Sequence, residues 1–170
     1  TASSSTFLRG DNAWAAAGGG AWNIIGTSVA STSASLTITG LDSTYDCYAI
    51  IISDAVPATD SAIPELQMGD SSGVDVGGTD YSFHRQSTYS GSTSYYDTVS
   101  AGADHIDIGN FTGSTADEGY GCVLYLVRPG DGAVNPIITG TSVNISASAD
   151  ESQGGIIVGC RTAVITVDRI

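Results

Sequence analysis

Histidines, the residues best suited to acid–base and metal chemistry near neutral pH, are few in this sequence and lie far apart. His105 and Asp107 are two positions apart, so in a strand both side chains would project from the same face. Two ligands do not complete a metal site, and the only other histidine, His84, is distant in the sequence. We therefore interpret His105 and Asp107 as a pair on a strand surface, and the sequence predicts no metal site.

The acidic stretches are also poor candidates for catalysis or calcium binding. Residues 70–75 offer oxygen ligands but lack the regular alternation and the terminal glutamate of a calcium-binding loop. Residues 117–118 and 150–151 are adjacent carboxylates, and adjacency does not place two groups on opposite sides of a substrate bond. Serine is abundant, so a catalytic triad built on it would have little support. The sequence predicts a non-enzymatic protein without a cofactor.

Three tyrosines are the best candidates for recognition. Tyr89, Tyr95 and Tyr96 lie in residues 87–103, a segment rich in Ser, Thr and Gly whose apolar content is too sparse for a core. We therefore predict a loop or an exposed hairpin there. Exposed tyrosines among small polar residues provide flat contact area and adaptable hydrogen bonds, which suits contact with a glycan or a protein. The alternative is that these rings pack beneath the loop or against a neighbouring subunit.

Composition narrows the classes of partner. The chain has 170 residues, a net charge of −13 and no lysine. Such a surface repels phosphate backbones and anionic lipid heads, which disfavours nucleic acid and membrane surfaces as partners. No apolar run is long enough for membrane insertion. Cys47, Cys122 and Cys160 lie in or beside apolar runs, so we predict buried thiols in strands, with one disulfide and one free thiol as the alternative.

The elements that must position these residues follow a period of two, which is typical of strands. Apolar and polar residues alternate over residues 34–39, as in a half-buried strand. Residues 45–53 have apolar residues at both odd and even positions, as in a central strand covered on both sides. No stretch offers an amphipathic helix of three turns. Roughly nine or ten short strands favour an all-β fold, an antiparallel β-sandwich of jelly-roll type. The predicted strands are residues 34–39, 45–53, 63–68, 81–86, 105–108, 121–128, 137–138, 142–148, 155–160 and 163–168.

A short extended N-terminal arm precedes this domain. Residues 1–20 comprise a turn-forming segment and a glycine joint, and the β-sandwich domain spans residues 21–170. The arm contains Arg9-Gly10-Asp11, which is the tripeptide that integrins recognise. Large apolar residues flank the tripeptide on both sides, so we interpret it as part of a packed turn rather than as a presented adhesion motif.

The segment Phe7-Leu-Arg-Gly-Asp-Asn-Ala-Trp14, with glycines at 18–20, resembles the FLRGDGTWA-type element of tail-fibre and related adhesion proteins of tailed bacteriophages. Asn12 and Ala13 stand where Gly and Thr are usual. The rest of the chain looks like a β-rich module found in predicted phage structural proteins. The resemblance implies a junction in a homotrimer, where apolar side chains from three copies would bury one another. The implied assembly residues are Phe7, Leu8, Arg9, Asp11 and Trp14.

The resemblance also implies a function and a location. We expect a virion structural protein, assembled in the bacterial cytoplasm, whose partners are its own copies and other virion proteins. A tail-fibre or receptor-binding module, mediating assembly and attachment to a host-surface glycan or protein, is the main expectation. A capsid decoration or head-fibre protein that coats or stabilises the shell is the alternative. Unpaired cysteines fit assembly in a reducing cytoplasm.

Overall fold

The computed structural model describes residues 6–8, 14–16, 22–146 and 151–170, the first two ranges by their backbone only. These residues form twelve strands and no helix, which confirms the predicted all-β class. The strands are β1 (Thr6–Leu8), β2 (Trp14–Ala16), β3 (Cys47–Ala55), β4 (Glu65–Leu66), β5 (Gly69–Asp70), β6 (Gly73–Val74), β7 (Tyr81–Tyr89), β8 (Tyr95–Ala103), β9 (Ile106–Asp107), β10 (Tyr120–Val127), β11 (Ile137–Ile145) and β12 (Ser152–Arg161).

Six of these strands form one antiparallel sheet in the order β3-β10-β11-β12-β7-β8. The register aligns Leu124, Gly140, Ile157 and Arg85 in one row across four neighbouring strands. Leu124 and Ile157 are fully buried, so this row faces the core. Because side chains alternate along each strand, the sheet has an inner face toward the core and an outer face on the other side.

Small sheets and loops cover the inner face. The β4–β9 pair brings Leu66 and Ile106 into the core, and a side chain added at Gly159 of β12 would collide with Ile106. Met68 and Val167 reach the same core from loops beside the short strands. The result is a sandwich-like arrangement with one large sheet. The finer assignment to a jelly roll is not confirmed, because the layer opposite this sheet contains only two-residue strands and loops.

The N-terminal segment forms a β-hairpin. Strands β1 and β2 pair antiparallel, with Leu8 opposite Trp14 and Thr6 opposite Ala16. The turn predicted between these two strands lies outside the described residues. Arg9 and Asp11 lie outside the described residues, as do the side chains of the paired strands.

Three strand predictions are wrong. Residues 34–39 form no strand, because nothing pairs with them except through a single bridge from Thr39 to Arg169. Residues 163–168 also form no strand, although the fully buried Val167 packs into the core from a loop. Strand β3 was expected to be central, but it is an edge strand whose Ile51 is 71% exposed.

The cysteine prediction is correct in part. All three thiols are free, so the alternative of one disulfide is wrong. Cys122 is buried on the inner face of β10, and that burial raises the pKa of its thiol. Cys47 is exposed, contrary to the prediction, because it lies at the start of the edge strand β3.

The buried phenol of Tyr81 predicts a loss of stability at alkaline pH. Its hydroxyl donates to the Met68 carbonyl at 2.8 Å and accepts from the Met68 amide at 2.7 Å, and burial raises its pKa to about 12. The folded state therefore favours the neutral phenol. This contribution is complete below pH 10, the ordinary pKa of tyrosine, and is lost as the pH rises toward about 12.

We expect the denaturant midpoint of the wild-type chain to fall between pH 10 and about 12. Tyr81→Phe should cost about 2 kcal/mol at neutral pH, because it leaves the buried Met68 amide without its partner. As the pH rises from 10 to about 12, the denaturant midpoint of Tyr81→Phe should fall less than that of the wild type. An identical pH dependence of the midpoint in both proteins would contradict the assignment to Tyr81.

Candidate functional site

A cleft of about 400 Å³ opens at the end of the sheet where β7 turns into β8 and β11 leads into β12. Two of the tyrosines predicted for recognition, Tyr89 and Tyr96, line it together with Phe111. The polar side of the cleft includes Glu151, which precedes β12, and Gln153 near the start of β12. Three aromatic rings and a small set of hydrogen-bonding groups therefore converge on one concave surface.

The hairpin formed by β7 and β8 sets the geometry of the two tyrosines. The register places Ser87 opposite Tyr96, so Tyr96 projects from the inner face beside Tyr89. The ring centroids are 4.5 Å apart with an interplanar angle of 83°, an edge-to-face contact. Tyr96 remains 48% exposed, so a face of this aromatic pair is open to solvent. The prediction of an exposed hairpin at residues 87–103 is confirmed.

Buried amides support the floor of the cleft. The Asn110 amide donates to the Tyr89 hydroxyl at 3.3 Å, which orients the tip of that ring. The Asn144 amide donates to the Phe111 carbonyl at 3.0 Å and to the Gln153 side-chain oxygen at 3.4 Å. Asn110, Asn144 and Gln153 are all at most 5% exposed. These hydrogen bonds fix the aromatic side and the polar side of the cleft relative to each other.

The same burial excludes a different role for the two asparagines. Asn110-Phe-Thr112 and Asn144-Ile-Ser146 both match the sequence pattern for N-glycosylation. An acceptor asparagine must be accessible on the surface, whereas both amides lie beneath the cleft and donate hydrogen bonds within the fold. Their role in this structure is to support the cleft.

Tyr95 lies on the other side of the sheet. It pairs with Thr88 in the register and projects from the outer face, where it is 68% exposed. Of the three tyrosines predicted for recognition, the structure thus brings Tyr89 and Tyr96 together and separates Tyr95 from them. Alternation along a strand explains the difference, because neighbouring residues project from opposite faces.

His105 and Asp107 lie together as predicted, but the predicted strand surface is wrong, because Asp107 is buried and His105 lies just before β9. The His105 Nε2 atom is 3.1 Å from the Asp107 carboxylate, and its Nδ1 atom is 2.7 Å from Asp104. The Asp107 carboxylate is also 3.9 Å from the buried Arg85 guanidinium. Burial lowers the pKa of Arg85, whereas the negative charge of Asp107 raises it. Arg85 donates to the Thr98 hydroxyl at 3.1 Å. No group of three potential metal ligands occurs within the described residues.

The segment Gly69-Asp-Ser-Ser-Gly73 carries the glycine and serine spacing of a nucleophile elbow. An elbow requires a turn from a strand into a helix, whereas this segment forms the β5–β6 hairpin and the described chain contains no helix. The Asp70 carboxylate accepts hydrogen bonds from the amide and the hydroxyl of Ser72. Asp75 is bonded to Arg161 at 2.8 Å. Both acidic residues therefore have structural partners, as expected for ordinary turns.

Comparison of the chain with protein-family models, with curated protein sequences and with solved structures found no significant similarity. Within the described residues, no helix is both long enough and apolar enough to cross a membrane. The predicted assembly residues Phe7, Leu8 and Trp14 are described by their backbone only, and Arg9 and Asp11 lie outside the described residues.

Proposed function

We propose that this chain is a non-enzymatic virion structural protein, a tail-fibre or receptor-binding module whose cleft contacts a neutral glycan of the host surface. The observation that carries the proposal is the convergence of Tyr89, Tyr96 and Phe111 with Glu151 and Gln153 in one open cleft. The resemblance of residues 7–14 to a tail-fibre junction element supports the virion location. Both features fit a chain that is joined to a fibre at one end and exposes a recognition site.

The cleft has the chemistry that a sugar ring requires. Aromatic faces cover the apolar C–H side of a pyranose, while a carboxylate accepts hydrogen bonds from its hydroxyls. The side chain of Tyr96 is about half exposed. The Glu151 carboxylate lies directly across from Gly91, so a side chain at position 91 would collide with that carboxylate. The glycine in the β7–β8 turn thus leaves the Glu151 carboxylate at the edge of the cleft. A ligand can reach aromatic and acidic groups together.

Charge restricts the class of glycan. The lining of the cleft includes one carboxylate, from Glu151, and no arginine, and the whole chain carries a net charge of −13 without any lysine. Sialylated or phosphorylated sugars would be repelled by this surface. A neutral hexose or an amino sugar would not be repelled by this surface.

A capsid decoration protein is the second candidate, and the outer face of the six-stranded sheet favours it. Large apolar side chains are exposed there, including Ile51 and Ile156. A broad apolar face of this kind suits attachment to a shell as well as contact within a fibre.

Competition with intact particles tests the proposal. Excess purified chain is expected to reduce adsorption of the particles to their host cells, because it occupies the same receptors. Tyr96→Ala protein, added at the same concentration, is the matched control and should compete poorly. Unchanged adsorption in the presence of wild-type chain, with the chain binding instead to isolated capsids, would favour decoration and contradict receptor binding.

A further inference from the structure

The outer face of the large sheet exposes a continuous apolar surface on β3, β10, β11 and β12. We call it the outer patch. Its seven large apolar side chains are between 38% and 71% exposed. They are Ile51, Val123, Tyr125, Ile137, Val143, Ile156 and Val158.

The strand register makes the outer patch contiguous. Ile51, Val123, Thr141 and Ile156 form one row across the four strands. The next row along the strands runs from Ala49 through Tyr125 and Thr139 to Val158. Side chains in such rows stand about 5 Å apart, so they form one surface rather than isolated residues.

Charged side chains are excluded from the outer patch. The four strands contain two charged residues, Asp54 and Arg161. Arg161 lies opposite Tyr81 and projects to the inner face, where it bonds Asp75. Asp54 lies near the end of β3, beside the irregularity that shifts the β3–β10 register. The nearest ionisable pair on the outer face, His84 and Asp97 at 3.5 Å, belongs to β7 and β8.

The segment before β3 extends the same uncovered surface. The Trp22 ring contacts Tyr125 of the outer patch with centroids 6.3 Å apart. Trp22, Ile24 and Val29 are all more than half exposed in a segment without strands. Among the described residues of a single copy, nothing covers the outer patch or the apolar side chains leading to it, and such exposure to water is unfavourable for a soluble monomer.

The dimensions of the outer patch suit a specific interface. Four strands spaced about 4.8 Å apart set the width of the patch, and about eight residues at about 3.4 Å rise per residue set its length. The patch therefore covers an area of roughly 500 Å². Two such faces together bury about 1,000 Å² or more, which is the lower range of specific protein interfaces. Sheets that pack face to face lie about 10 Å apart, with β-branched side chains filling the space between them.

The lack of charge on the outer patch favours an apolar occupant, and a second copy of the chain offers a surface of that kind. A basic partner would be recognised through the acidic groups elsewhere on the chain, whereas the outer patch offers none. A second copy carries the same charge of −13 and can approach only where carboxylates do not face each other. We propose that the outer patch is the surface through which copies of this chain pack against one another. This assembly surface does not include the cleft, and its test does not depend on glycan binding.

Native mass spectrometry and sedimentation of the full chain test the proposal. The wild-type chain is expected to assemble. Val123→Lys with Ile156→Lys should weaken association by about 100-fold or more, because each lysine would be buried without a partner. Both side chains point to solvent in a single copy, so the circular dichroism of the variant should match that of the wild type. If the double variant fails to fold, Ile156→Lys alone provides the test.

Val76→Lys is the matched control, since Val76 is 65% exposed in a loop outside the sheet, and this variant should assemble like the wild type. A wild-type chain that stays monomeric at high concentration would overturn the proposal. An assembly of unchanged mass in the double variant would overturn it as well. A monomer whose outer-patch amides are protected from hydrogen exchange only while residues 1–21 are present would show that the N-terminal segment is the occupant instead.

Discussion

Alanine at Tyr96 is expected to weaken glycan binding by about tenfold to 100-fold, and alanine at both Tyr89 and Tyr96 to abolish it. Removing one aromatic face from a sugar contact costs about 1.5–3 kcal/mol, and each 1.4 kcal/mol is tenfold in affinity. The two rings contact each other at 4.5 Å, so loss of either one also removes the edge-to-face support of the other. The measurement is a titration with the neutral glycan that binds the wild type most tightly on an array.

Tyr95→Ala is the matched control for this prediction. Tyr95 is adjacent in sequence, of the same residue type and more exposed than Tyr96, but it projects from the outer face of β8. Its replacement should leave the affinity within about twofold of the wild type. Equal losses for Tyr95→Ala and Tyr96→Ala would contradict recognition in the cleft. They would indicate a ligand that lies along the outer edge of the hairpin.

The second large effect is expected in the core. Ile157→Ala should lower the free energy of unfolding by about 2–5 kcal/mol, because Ile157 is fully buried on the inner face of the central strand β12. Ile157 belongs to the same buried core as Leu124 and Ile106, and the truncation leaves a cavity in that core. Urea denaturation at low protein concentration measures this loss.

The neighbouring Ile156 provides the control. It is 58% exposed on the outer face, so Ile156→Ala in a single copy should change the free energy of unfolding by less than about 0.5 kcal/mol. The difference between the two isoleucines tests the assignment of the faces of the sheet. Similar losses at low concentration would show that the outer face is covered within one chain. A loss at Ile156 that grows with protein concentration is expected if copies pack on this face.

Several of the large strands could be predicted because their residues alternate or include a run of apolar side chains. The segments around Tyr81, Tyr120 and Ile157 all appear as strands in both the sequence prediction and the structure. Strand order and coverage could not be predicted, since they depend on pairing between distant segments. The sequence of residues 45–53 therefore predicts a central strand, although the strand lies at the edge of the sheet and its Ile51 is exposed.

The two tyrosines of the candidate site could also be predicted from the sequence. Tyr89 and Tyr96 stand out in a polar segment, and their contact with each other requires only a hairpin. Phe111 and Gln153 come from other segments, and no local pattern in the sequence connects them to the tyrosines. The separation of Tyr95 from Tyr96 was predictable in principle from the alternation of a strand, once the segment is known to be a hairpin.

The location of the chain on intact particles tests the central proposal most directly. Antibodies raised against residues 22–170 and coupled to gold can be imaged on unfixed virions by electron microscopy. A receptor-binding module predicts label confined to the tail end, at or near the tips of the fibres. Label distributed over the capsid, or no label on particles at all, would contradict it.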